Sequence, residues 1–341
     1  MFKVPLEKIN TVFSCIADGA ELYAPVRTGN ELNYKKWVED NEVDLRGLKT
    51  VNTPKDIMLP QSENIYTTTA VAGKISITPA EIDSAPFVIF GVKACDVKAI
   101  AVLDNIYLQG DFVDVVYQTR RDAACIVSLG CAKPAATCFC AAFGLDAANP
   151  EGDVSTWIVD DFLYMEAQTD KGAELVKKIV HLFEQADQAM VDVEKHEISE
   201  KIKNLPYSKL PLENFKPENT LKLFNDENWM HLYKACLGCG VCTYVCPTCS
   251  CYDIRDFEGK CGDIQRFRCW DSCMYPDFTL MAHGNPRISQ KERFRQRFMH
   301  KLAYHPEKFE EYGCVGCGRC VNKCPVSLNI VKIIKNLGGA N

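Results

Sequence analysis

The sequence predicts an α/β domain in its N-terminal half and a mostly α-helical domain, rich in cysteine, in its C-terminal half. Three observations predict this architecture. Short β-branched runs alternate with helical periodicity up to residue 205, a stretch with three prolines and no periodicity occupies residues 206–219, and one cysteine motif occurs twice beyond it. The predicted domains are therefore residues 1–205 and 220–341, joined by a linker.

A βαβ pattern supports the α/β domain. The runs APFVIFGV (85–92) and AACIVSLGC (123–131) predict buried strands, and residues 96–110 between them have apolar side chains at helical spacing. Because a strand–helix–strand unit of this kind joins parallel strands, we expect the two runs to be neighbours in a parallel sheet. A further strand is predicted at 162–167 and a long amphipathic helix over 173–190.

Composition excludes several classes of protein. The chain has 341 residues, 19 cysteines and a net charge of −6. The odd cysteine count argues against a secreted disulfide framework, and clustered cysteines in a reducing cytoplasm usually serve metal or redox chemistry. The first residues contain no apolar leader, and no apolar run reaches the length that spans a membrane. We therefore expect a cytoplasmic protein without membrane or nucleic-acid partners, the latter because a basic excess is missing.

The repeated motif is C-x2-C-x2-C-x3-C-P, and it occurs as CLGCGVCTYVCP (236–247) and CVGCGRCVNKCP (314–325). This is the bacterial ferredoxin run for [4Fe–4S] clusters, in which the fourth cysteine ligates the other cluster. The predicted ligands are Cys236, Cys239, Cys242 and Cys324 for the first cluster, and Cys314, Cys317, Cys320 and Cys246 for the second. Structural zinc is the alternative, but zinc ribbons use paired C-x2-C knuckles and do not need three-plus-one runs in duplicate.

The segment between the two runs is much longer than in a minimal ferredoxin. Residues 288–305 place Phe294, Phe298 and Leu302 on one helical face, and the segment before the first run also has helical spacing. No β pattern is predicted for this insert. We therefore expect a helical, ferredoxin-like domain rather than the small βαβ ferredoxin.

Four sequence segments resemble a known family: CTYVCPTCSCYDI, RCWDSCMYPDF, HGNPR and CVGCGRCVNKCPVSLNI. The chain is similar to the iron–sulfur β subunits of soluble sulfhydrogenases and to the corresponding iron–sulfur subunit of anaerobic sulfite reductase. GVKACD and CFC also fit, so the resemblance covers most of residues 85–334, whereas residues 1–80 match little. It implies an electron-transfer subunit between a flavin (FAD or FMN) subunit that uses NAD(P)H and a catalytic partner. That partner is a hydrogenase, a sulfite reductase or a heterodisulfide reductase.

Five further cysteines lie between the two runs: Cys249, Cys251, Cys261, Cys269 and Cys273. Cys261 and Cys269 are additional to the family pattern. Because eight ligands are already assigned and free cysteine packs as a small hydrophobe, we expect packing or supporting roles for these five.

A third cluster is predicted in the α/β domain. Cys95 follows the first predicted strand, Cys131 ends the second, and Cys138 and Cys140 lie on the loop after it. The carboxyl ends of parallel neighbours meet at one edge of a sheet, where α/β proteins build their sites. These four thiols match the number that a [4Fe–4S] cluster takes, and a helix beginning near Asp96 would direct its amides at the anionic cluster. Structural zinc and free thiols are the alternatives.

These features predict an electron-transfer subunit rather than a catalytic one. Iron–sulfur clusters move single electrons, whereas nicotinamide moves hydride, so a flavin must lie between them. The chain has neither a G-x-G-x-x-G loop nor a P-loop, and we therefore expect the flavin on a separate subunit. The alternative function is a self-contained iron–sulfur reductase of disulfide or sulfur substrates.

Overall fold

A computed structural model describes residues 1–47, 49–71, 73–259 and 262–339. Its strands form an eight-stranded and a four-stranded sheet. The strands are β1 (Phe2–Pro5), β2 (Glu21–Thr28), β3 (Glu31–Lys36), β4 (Ser62–Val71), β5 (Lys74–Pro79), β6 (Phe87–Val92), β7 (Ala124–Leu129), β8 (Val154–Val159), β9 (Phe162–Ala167), β10 (Glu184–Gln185), β11 (Tyr252–Glu258) and β12 (Ile264–Trp270).

Helices cover the larger sheet and build most of the second half. They are α1 (Ile9–Ala17), α2 (Lys55–Met58), α3 (Ala94–Tyr107), α4 (Val115–Ala123), α5 (Asp170–Ile179), α6 (Ala189–Lys203), α7 (Thr220–Phe224), α8 (Trp229–Leu232), α9 (Val241–Tyr244), α10 (Gln290–Met299), α11 (His305–Phe309), α12 (Arg319–Lys323) and α13 (Ile330–Leu337). A π-helical turn at residues 300–304 joins α10 to α11, so the helix predicted over 288–305 is present with altered winding. Among the described residues, no helix is both long and apolar enough to cross a membrane.

The larger sheet has the strand order β10-β1-β9-β8-β7-β6-β2-β3. Its centre is parallel: β6 lies between β2 and β7, and β7 also pairs with β8. The predicted βαβ unit is present, since α3 connects β6 to β7 and Val88 lies opposite Cys125. Both strands are buried at every position, as expected for parallel strands with helices on both faces.

The prediction of a long helix over residues 173–190 is wrong in its second half. Helix α5 ends at Ile179, and the chain then becomes extended at Phe183 and forms β10 beside β1. Leu182 and Phe183 still pack against the core of the sheet, as their spacing indicates. The helix stops because a new edge strand of the sheet is formed there, which the local pattern does not encode.

The insert between the cysteine runs contains β structure, and the prediction that it does not is wrong. Strands β11 and β12 form an antiparallel hairpin, and β12 also pairs with β4 from the first half, so the smaller sheet has the order β11-β12-β4-β5. The sequence YDIRDFE (β11) is exposed at nearly every position and does not alternate regularly, so its pattern does not predict a strand; β4, which completes the sheet beside β12, lies far away in the sequence. The second half is therefore mostly helical but contains this β hairpin.

The predicted linker contains no helix or strand between residues 204 and 216. It is nevertheless packed, because Phe215 is buried in the core that α8, α10 and α13 form. Strands on both sides of this segment pair with one another in the smaller sheet. Residues 206–219 thus mark a change in amino-acid composition, but the parts of the chain before and after them pack and pair with one another.

Candidate metal centres

The first site is a cavity between the two cysteine runs. It is lined by Cys236, Cys239, Cys242, Cys320 and Cys324. Short helices α9 and α12 begin at equivalent glycines of the two runs, Gly240 (φ 72°) and Gly318 (φ 73°), and this left-handed turn brings each run around its thiols. Cys324 of the second run therefore lies among the first three cysteines of the first run, as crossed ligation requires.

The second site gathers the remaining cysteines of the runs. Burial raises the pKa of Cys314 to about 12, and the neighbouring Cys246 contributes to this rise. Burial also raises the pKa of Cys320, and the thiols of Cys246 and Cys317 raise it further. The Cys246 thiol lies 3.3 Å from the Thr248 hydroxyl, which donates to the carbonyl of Gly313 just before Cys314. Cys246 of the first run thus lies beside the second run. Because the thiolate is the metal-binding form, a bound metal would favour the ionisation of Cys314 and Cys320.

The arrangement suits a cluster better than a single ion. Within residues 1–47, 49–71, 73–259 and 262–339, no group of three or more histidine, cysteine or acidic side chains converges closely enough for one metal ion. A zinc ion needs its sulfur ligands about 2.3 Å away, and hence near one another. A [4Fe–4S] cluster is larger and binds each thiolate at a separate iron, so cysteines around a cavity fit it.

Buried cations around these sites indicate an anionic occupant. Arg297 and Lys301 on the α10 segment and Lys55 at the start of α2 are at most 4% exposed. None of the three forms an ion pair with a carboxylate in the described parts of the chain. Arg297 lines the first cavity, its Nε lacks a partner there, and its Nη1 lies 3.6 Å from Cys249 Sγ. Since uncompensated buried charges are strongly destabilising, anionic clusters on either side would supply the missing partner.

The third site contains the four cysteines that the sequence predicts. Cys95 lies in the first turn of α3, Cys131 follows β7, and Cys138 and Cys140 come from the next loop; all four line one cavity. Burial raises the pKa of Cys95 and of Cys140, the latter to about 12. Lys49 lies 3.5 Å from Cys138 Sγ, so this site also has a cation beside its thiols.

The third site adjoins the second cysteine run directly. Gly316 and Cys317 line the third cavity, and the Phe139 N–H donates to the Gly316 carbonyl over 2.8 Å. A buried ion pair between Arg319 and Asp96 joins the second run to the first turn of α3. Cys317 therefore lies between the second and third sites.

Replacing Gly316 by alanine should loosen this junction. The new Cβ would lie 2.5 Å from the carbonyl of Phe139, and the backbone at Gly316 has φ 63°. We expect a loss of roughly 2–5 kcal/mol of unfolding free energy from strain and overpacking together. Gly29→Ala is the matched control, because φ is 57° there and nothing lies within 4 Å; it should cost about 1–2 kcal/mol. Anaerobic denaturant unfolding measures both, and equal losses would contradict the close approach.

Sequence reasoning missed three charged residues of these centres: Lys49, Lys55 and Arg319. Lys49 and Lys55 belong to the segment for which no motif was recognised, and they reach the sites only through the tertiary fold. The Arg319–Asp96 pair joins residues from different halves, and no local pattern encodes it. Of the five additional cysteines, Cys269 lies on β12, and Cys261 lies outside the described residues.

Comparison with known proteins agrees with this geometry. The family model of the 4Fe-4S dicluster domain matches residues 235–328, a range that contains both cysteine runs. The chain is 30% identical over 333 residues to the sulfhydrogenase 2 subunit beta of Pyrococcus furiosus, an alignment that covers 97% of this chain and 96% of that protein. The chain belongs to the sulfhydrogenase β-subunit family. The resemblance drawn from the cysteine-rich segments is thereby confirmed, and members of this family with the dicluster domain are iron–sulfur proteins. No solved structure is significantly similar to the chain.

Proposed function

We propose that the chain is the electron-transfer subunit of a cytoplasmic oxidoreductase complex. It carries single electrons through three [4Fe–4S] clusters between a flavin subunit that uses NAD(P)H and a catalytic subunit. One observation carries the proposal: the three cysteine sets are contiguous, with the second between the other two. Cys320 of the second set also lines the first cavity, and Cys317 also lines the third.

The first and second sets of this series differ in their exposure. Cys239 of the first set is exposed, and beside it Leu237 is 67% exposed. The second set is enclosed, since Cys246 and Cys317 are each 8% exposed. An electron can thus enter or leave at the first site, and the buried second site serves as the intermediate step. The catalytic partner is a hydrogenase, a sulfite reductase or a heterodisulfide reductase, and the relative's name favours the hydrogenase.

The isolated chain should be unable to use NADH or NADPH. Purified anaerobically, it should contain no tightly bound flavin, and electron paramagnetic resonance should show clusters that dithionite reduces but NAD(P)H does not. Addition of the flavin subunit should make the same clusters reducible by NADH or NADPH. Dithionite serves as the control in both samples, because it reduces clusters without a flavin. Stoichiometric FAD or FMN in the single chain would contradict this division of labour.

A further inference from the structure

Two cysteines outside the three ligand sets meet at the open end of the β11–β12 hairpin. Tyr252 lies opposite Trp270 in this hairpin, so Cys251 just before β11 is close to the residues that follow β12. The Asp271 N–H donates to the Cys251 carbonyl over 3.0 Å, which continues the pairing by one step. Cys273 follows Asp271 by two residues, and the side chains of Cys251 and Cys273 interact, which lowers the pKa of Cys251 and raises that of Cys273.

The turn that contains Cys273 is firmly held. Ser272 is fully buried, its hydroxyl accepts from the Met274 N–H at 3.2 Å, and it lies 2.9 Å from the Thr243 hydroxyl of α9. Helix α9 belongs to the first cysteine run, so these bonds fix Cys273 relative to the first site. The two thiols are thus placed side by side by two independent elements, the hairpin and this turn.

Predicted ligands of the first and the second cluster lie near the Cys251–Cys273 pair. Cys273 is close enough to Cys242, a ligand of the first site, to raise its pKa, although burial is the larger cause. On the other side, Cys249 lies near Cys251 and next to Cys246, a predicted ligand of the second site. The buried cations Arg297 and Lys301 lie near Cys273. Hydrophobic packing alone does not account for two paired thiols beside buried cations.

We propose that Cys251 and Cys273 form a dithiol–disulfide couple that stores an electron pair beside the first and second clusters. The inference rests on the clusters of the proposed function. In the reductive direction the Cys251–Cys273 S–S bond breaks and two S–H bonds form. The two electrons arrive one at a time from two reduced [4Fe–4S] clusters, which are thereby oxidised, and the two protons come from water at the half-exposed Cys251.

The direction of electron transfer between the clusters and the disulfide follows from their usual reduction potentials. Ferredoxin-type clusters have more negative reduction potentials than most protein disulfides, so reduced clusters can open the disulfide. Disulfides of reducing compartments are usually transient and redox-active, which agrees with a pair that both clusters can reach.

The test uses the full chain with its clusters, prepared anaerobically. One sample is poised with a mediator dye at a potential that oxidises the clusters, and another is reduced with dithionite. Both are quenched in acid, alkylated and digested, and the peptides are identified by mass spectrometry. We expect a peptide pair linked through Cys251 and Cys273 in the oxidised sample and two alkylated peptides in the reduced one.

Three variants make the result decisive. Cys251→Ser and Cys273→Ser should each lose the linked peptide and keep the iron content of the unmodified protein. Cys269→Ser, on the same hairpin, should keep both. Fully alkylated Cys251 and Cys273 in an oxidised, iron-replete protein would overturn the couple and leave the proposed function intact. Loss of iron in Cys251→Ser or Cys273→Ser would make these residues cluster ligands and also overturn it, whereas a chain that binds no iron would overturn both proposals.

Discussion

Cys324→Ala should remove the cluster that is held mainly by the first cysteine run. Cys324 belongs to the second run, but it lines the same cavity as Cys236, Cys239 and Cys242. Because the fourth cysteine of each run serves the other cluster, the iron content should fall by about four per chain. The remaining electron paramagnetic resonance spectrum should match that of Cys239→Ala, which removes a ligand of the same cluster.

The corresponding substitution of the fourth cysteine in the first run completes this experiment. Cys246→Ala should damage the cluster at Cys314, Cys317 and Cys320, and its spectrum should match that of Cys314→Ala. Cys269→Ala, on the exposed hairpin, controls for the loss of a thiol alone. A Cys324→Ala spectrum that matches Cys314→Ala would mean that each run closes on its own cluster.

Anaerobically prepared protein should contain about twelve irons per chain, and Cys138→Ser should contain about eight. Cys138 lines the third cavity with Cys95, Cys131 and Cys140, and a cluster that loses one of four thiolate ligands is expected to be lost. The two clusters at the ferredoxin runs should persist, because Cys138 is not among their ligands. Iron and acid-labile sulfide determination measures the change.

The control for Cys138→Ser is the same substitution at a cysteine that belongs to none of the three ligand sets. Cys15→Ser on helix α1 should leave about twelve irons, since Cys15 lies in the core of the larger sheet, away from the sites. A count near eight in the unmodified protein that Cys138→Ser does not change would show that the third cavity holds no cluster. A count that falls equally in Cys15→Ser would point to general destabilisation.

The parts of the structure that the sequence could predict depend on neighbouring residues. The βαβ unit is predictable because each strand and helix has its own pattern, and the convergence of Cys95, Cys131, Cys138 and Cys140 follows from parallel pairing at one sheet edge. The duplicated motif likewise predicts the dicluster domain, which the family comparison confirms, whereas the ligand of each iron stays a prediction.

The parts that could not be predicted depend on distant residues. Strand β12 is stable in its sheet because β4 pairs with it, and the local sequence of the insert gives no sign of that partner. Helix α5 ends early because β10 extends the sheet beside β1. Charges such as Lys55 and Arg319 reach the sites from segments without a cysteine motif or from the opposite half of the chain, so only the tertiary fold shows their role.

The shared smaller sheet has a consequence for synthesis of the chain on the ribosome. Strands β4 and β5 leave the ribosome long before β12, which later covers the open edge of β4. At about 5–20 residues per second, this edge stays unpaired for on the order of ten seconds or more. Unpaired edges favour association between nascent chains, and a pairing this distant in sequence also forms slowly. Overproduction should therefore yield soluble protein best when translation is slow and chaperones are abundant.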